Sequence, residues 1–176
     1  MSRRQAQGIG KSGYALVTEA LTALRDGRPL VFEEEYGLET LWHEILHNGQ
    51  AHRVPGSPAE IVRLAEGLHQ VLARQTYPEF LRLLGAEAAH ARAVRERGFA
   101  YPMTVARLTG LLRALGAMDE SFVIEPALLG TLRDLNAATD FASLADELGR
   151  ALLAFGGRGE IDIEHHLRAI AEGKDP

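Results

Sequence analysis

Apolar residues recur at intervals of three and four through most of the chain, the period of helices that bury one side. Between Tyr14 and Arg25 the apolar positions are Leu16, Val17, Ala20, Leu21 and Leu24, and Asp26-Gly27 closes that helix. Pro29-Leu30-Val31-Phe32 is a short apolar run that predicts a strand. The acidic run Glu33-Glu34-Glu35 after it is expected as a solvated rim. A helix is predicted next from about Leu38 to Asn48, with Asn48-Gly49 as its stop signal. Residues 49–58 hold Gly49, Pro55, Gly56, Ser57 and Pro58 and read as a loop. From it Ser57 caps the following helix, with Pro58 at the first position and Glu60 at the third. That helix carries Ile61, Val62, Leu64, Ala65, Leu68, Val71 and Leu72 and runs to about Gln75.

Tyr77-Pro78 predicts an interruption, because proline disfavours helix in the residue before it. Helical spacing resumes over 78–97 and ends at Arg97-Gly98. Phe99-Ala100-Tyr101-Pro102 is a second break, after which the pattern returns from Met103 to Leu115. Three further short helices are expected near 125–136, 140–155 and 162–172, the last two separated by Gly156-Gly157-Arg158-Gly159. There is no internal repeat and no low-complexity segment. The expectation is a mainly α fold, α+β only through a minimal sheet near residue 30. A compact domain is expected over 13–110, with a helical C-terminal extension over 111–176 packed on it.

Composition narrows the chemistry. The chain has 176 residues, enough for one ordinary domain with a helical appendage, and a net charge of -5. That charge gives no electrostatic basis for a nucleic-acid backbone or an anionic membrane as partner. There is no cysteine, so any metal must be held by His and carboxylate. Met1-Ser2-Arg3-Arg4-Gln5 is basic without the apolar run of a secretory signal, and no stretch of about 18 apolar residues occurs. A cytoplasmic protein is the expectation. Gly10-Lys11-Ser12 is not a phosphate-binding loop, since the first glycine of that motif falls on Gln5 and no apolar strand precedes it.

The segment His43-Glu44-Ile45-Leu46-His47 matches HExxH. On a helix, residues four apart share a face, so the two imidazoles can bind one ion at roughly 2.0–2.1 Å each. Glu44 then stands beside the water that such an ion activates, where a general base is needed. A site of this kind requires a third protein ligand and an open position.

The spacing that follows resembles the gluzincins, a group of zinc peptidases in which the third ligand is a Glu on the next helix, one recurrent pattern being HExxH-x18-E. Here the residues from Asn48 to Ala65 separate His47 from Glu66, and Glu66-Gly67 looks like the Glu-Gly core of that group's second motif. The resemblance covers about residues 38–75. It implies a zincin-like domain in which His43, His47 and Glu66 hold one Zn²⁺ per chain. It further implies that Glu44 is the general base and that the substrate is a peptide or protein. Glu60 is the competing third ligand and doubles as part of a capping box. The chain departs from the pattern at Gly49, where many zincins are apolar. It departs again at Gln70, where some members carry an acid, although an amide oxygen can still accept from a metal-bound imidazole. The metzincin variant is excluded, because its third His falls on Arg53 and its glycine on Gln50.

A peptidase also needs a donor for the oxyanion of the tetrahedral intermediate. Tyr77, His90 and Tyr101 are the candidates, each near a break in the helical pattern, and each can equally be a packing or capping residue. His52 and His69 could approach a metal, although single His residues are more often structural or solvated. Trp42 reads as a core anchor, and His165-His166 receives no role. Two other readings stand beside the peptidase. Glu44-x-x-His47, Glu66-x-x-His69 and Glu87-x-x-His90 are ExxH pairs of the kind that di-iron carboxylate bundles use. Alternatively, a zincin-like or helical domain could serve binding alone, inside a larger assembly.

Overall fold

A computed structural model describes residues 13–48, 58–97, 101–138, 143–156 and 161–174. Expectations that fall on Gly10-Lys11-Ser12, the 49–57 loop with its Ser57 cap and His52, Phe99-Ala100 and Gly157-Arg158-Gly159 lie outside the described residues. Among the described residues there are eight helices and no sheet. They are α1 (Gly13–Arg25), α2 (Phe32–Asn48), α3 (Ala59–Leu83), α4 (Ala91–Arg97), α5 (Pro102–Ala114), α6 (Pro126–Ala138), α7 (Leu144–Gly156) and α8 (Ile163–Glu172). The strand-like pairing seen among them is an isolated antiparallel bridge between Met118 and Ile124. No helix among the described residues is long and apolar enough to cross a membrane.

The chain is mainly α, and the small sheet expected near residue 30 is absent. The reason lies in Glu34. Its carboxylate accepts the Val31 backbone N–H at 3.0 Å and ends the extended run there, while the Val31 carbonyl accepts from the N–H groups of Glu34 and Glu35. This is one half of a capping box, and it starts α2 six residues earlier than the apolar pattern alone suggests. The acidic run is likewise no solvated rim: Glu33 is exposed, but Glu34 and Glu35 are buried.

Two compact units are formed. The first contains α1, α2, α4 and α3 from Ala73 onward. Its core is built from Ala20, Ala23, Leu30, Tyr36, Leu38, Tyr77, Leu81 and Val94. Gly37 lets α2 approach α1 closely: a Cβ there would lie 2.8 Å from Leu16 Cβ and 3.1 Å from the Leu16 backbone carbon. The break expected at Tyr77-Pro78 does not occur, and α3 continues through Pro78 to Leu83. A proline in a helix interior costs about 3 kcal/mol. Tyr77 and Leu81, both wholly buried beside it, offset this at roughly 1.5–3 kcal/mol each. The helix expected over 78–97 is therefore two pieces. Gly85, at φ 79°, terminates α3 with Ala86 N–H donating to Leu81 O at 2.9 Å and Gly85 N–H to Arg82 O at 3.1 Å.

The second unit contains α3 up to Leu72, together with α5, α6, α7 and α8. Gly67 brings α3 against α5, where a Cβ would meet Thr104 Cγ2. Leu64 and Leu68 on α3 and Leu108, Leu111 and Leu112 on α5 are buried in it. Asp162 caps α8 by accepting the His165 N–H at 2.9 Å.

Candidate metal centre

Positions 35, 39, 43 and 47 of α2 are Glu, Glu, His and His, and a four-residue repeat keeps all of them on one face. Three are almost wholly buried, with Glu35 and Glu39 at 0 % and His43 at 1 % exposure, and His47 is half-buried. The roll of the helix is fixed by Trp42, whose indole N–H donates to Thr76 Oγ1 at 2.7 Å and whose ring stacks on Phe80 at 5.0 Å.

That orientation turns the two imidazoles toward each other. His43 Nε2 and His47 Nε2 are 2.9 Å apart, and the ring planes meet at 76°. With Glu66 they form a group in which one ligand atom from each residue lies within 4.8 Å of the other two. The donor set of two imidazoles and a carboxylate is one that divalent transition metals accept. This His43/His47/Glu66 group could hold a metal ion. Glu60, the competing carboxylate, is exposed on the first turn of α3 and stands outside the group.

No protein-family model, curated protein or solved structure matches the chain. The site must be read from its own geometry.

Glu44 follows His43 on α2 and is half-buried. Tyr77 and His90 meet at Glu35, two turns before His43. The Tyr77 hydroxyl donates to Glu35 Oε2 at 3.0 Å, and the His90 backbone N–H donates to both carboxylate oxygens at 3.0 and 3.1 Å. Burial pushes the Glu35 carboxyl above its ordinary value despite these donors. Burial, and then the neighbouring Glu35 charge, pushes the Tyr77 phenol upward. The His90 ring lies edge-on to Phe32. Tyr101 is the N-cap of α5, held at φ 48°. His69 donates from Nδ1 to the Ala65 carbonyl at 2.9 Å, a structural bond within α3. His166 makes the same bond to Asp162.

Sequence reasoning missed Glu35, Glu39 and Arg74. Arg74 is 4 % exposed, and burial pulls its pKa down while the Glu39 charge holds it up. The signal that could have found the carboxylates is the four-residue repeat leading into His43, which continues the face of the imidazoles N-terminally.

Proposed function

We propose that this chain is a zinc-dependent hydrolase of peptide or amide bonds, similar in its site to the gluzincins. The observation that carries the reading is the His43/His47/Glu66 group, with a carboxylate at the position directly after His43. HExxH-x18-E spacing supports the same assignment. His43, His47 and Glu66 would hold the ion. When bound, zinc supplies Lewis acidity and brings a water's pKa towards about 7. Glu44 takes the proton from the water whose oxygen attacks the carbonyl carbon. It then hands that proton to the nitrogen as the C–N bond breaks, leaving a carboxylic acid and an amine.

Elemental analysis of the purified chain and cleavage of a mixed fluorogenic peptide set test this. One zinc per chain and peptide cleavage are expected, with Glu44→Gln keeping the zinc and losing at least a hundredfold in turnover, the scale of general-base catalysis at about 10²–10⁴. Full turnover in Glu44→Gln would refute the mechanism. Two irons per chain would point to the carboxylate-bundle reading instead.

A further inference from the structure

Glu66 leaves α3 where that helix is pressed against α5. The next residue, Gly67, has no side chain, and Thr104 and Leu108 of α5 occupy the space where one would stand. A Cβ on Gly67 would lie 2.4 Å from Thr104 Cγ2, 3.1 Å from Leu108 Cδ1 and 3.4 Å from Thr104 Cβ. At 2.4 Å this is the tightest approach at any of the described glycines. Carbon atoms in contact keep about 3.5–4.0 Å, so an alanine here would be more than about 1 Å too close to the Thr104 methyl. Thr104 and Leu108 are buried, at 5 % and 4 % exposure, and neither swings freely aside.

Glycine is a poorer helix former than alanine, so Gly67 does nothing for α3 on its own. What it permits is the depth at which α3 seats on α5. The ligand of the metal group is the residue immediately before it. Glu66 is 8 % exposed, and its carboxylate belongs to the His43/His47/Glu66 group, whose ligand atoms lie within 4.8 Å of one another. Metal–ligand distances tolerate deviations of only about 0.2 Å. A shift of about 1 Å in the backbone that carries a ligand is therefore large on the scale of the site, where constellations must hold to about 0.5 Å.

We propose that Gly67 and Thr104 form a positioning contact of the metal centre: the missing side chain lets α3 seat on the Thr104 methyl, and that seat fixes where the Glu66 carboxylate stands. The inference rests on the metal reading and gives neither residue any contact with the ion. The rival account is ordinary close packing, which would affect the stability of the fold but not the affinity of the folded chain for metal.

Calorimetric titration of the chelator-stripped full chain with zinc, below the unfolding transition of each variant, separates the two accounts. Gly67→Ala should bind one zinc with roughly ten- to hundredfold lower affinity, the range for residues that orient ligands. Thr104→Ala removes the seat and should also weaken binding. The double variant takes a methyl from α5 and places one on α3, with 3.4 Å between the two Cβ atoms. Its affinity should return to within about threefold of the wild type, since residues in contact couple. Gly110→Ala, on α5 where a Cβ meets nothing within 4 Å, should bind zinc as the wild type does. If Gly67→Ala does not fold, Thr104→Ala and the double variant still decide. A folded Gly67→Ala with wild-type affinity, or a double variant that binds no tighter than Thr104→Ala, would overturn the proposal. A wild type that takes up no zinc would overturn the metal reading itself. Uptake lost in His47→Ala but unchanged in Gly67→Ala would overturn the positioning contact alone.

Discussion

Glu35 shows how one buried carboxylate can hold a structure while being costly itself. It satisfies the Tyr77 hydroxyl and the His90 N–H, yet burial raises its pKa from an ordinary 4.5. A raised folded-state value means that the folded chain binds the proton more tightly than the unfolded one. The resulting stability is fully present below 4.5 and is lost as pH rises through the raised value. Relative to Glu35→Gln, which cannot titrate, the wild type should therefore gain stability as pH falls from about 8 to about 5. Urea midpoints of both proteins across that range check the sign. A difference that is flat with pH would mean that Glu35 is not perturbed. Glu35→Ala should lose about 2–4 kcal/mol at the acid end of that range and less as pH rises, because a buried hydroxyl and a buried N–H lose their acceptor.

At the scale of the element, close approach dominates α2. Gly37 sits mid-helix, where alanine would ordinarily add about 1 kcal/mol of helix propensity. The Cβ it would bring lies 2.8 Å from Leu16 Cβ and 3.1 Å from backbone, which cannot yield as a flexible side chain can. Gly37→Ala should lower stability by about 1–3 kcal/mol net, read by chemical denaturation. An equal or more stable variant would show that α1 and α2 have room to part. The elements also show what could be read in advance. The boundaries of α1, α5, α6, α7 and α8 follow from apolar spacing because each buries one continuous stripe. The strand at Leu30, the break at Pro78 and the long helix over 78–97 did not survive, each for a local reason. Glu34 caps from inside the acidic run, Tyr77 and Leu81 anchor both sides of the proline, and Gly85 supplies a left-handed stop that looks like any other glycine in a polar stretch.

For the whole molecule, the metal group links sequence to stability. The HExxH pair and Glu66 were legible because their chemistry is fixed by spacing. Glu35, Glu39 and Arg74 were not, since nothing local distinguishes an acid that meets Tyr77 across 42 positions from one that meets water. A ligand that binds only the folded chain stabilises it by about 2.7 kcal/mol at a hundredfold excess over Kd. Zinc should accordingly raise the Tm of the wild type and a chelator should lower it, whereas His47→Ala should respond to neither. Equal responses in both proteins would move the metal elsewhere.

The division of α3 at Leu72 and Ala73 has a consequence for biosynthesis. The aromatic and aliphatic faces of α1 and α2 leave the ribosome before Tyr77 and Leu81, which cover them, have been made. The stretch carrying Leu64 and Leu68 then waits for residues beyond 101. The first unit is complete once the chain has been made to about residue 100, whereas the inserted stretch that carries Leu64 and Leu68 stays an uncovered apolar face on the nascent chain until the helices beyond 101 emerge.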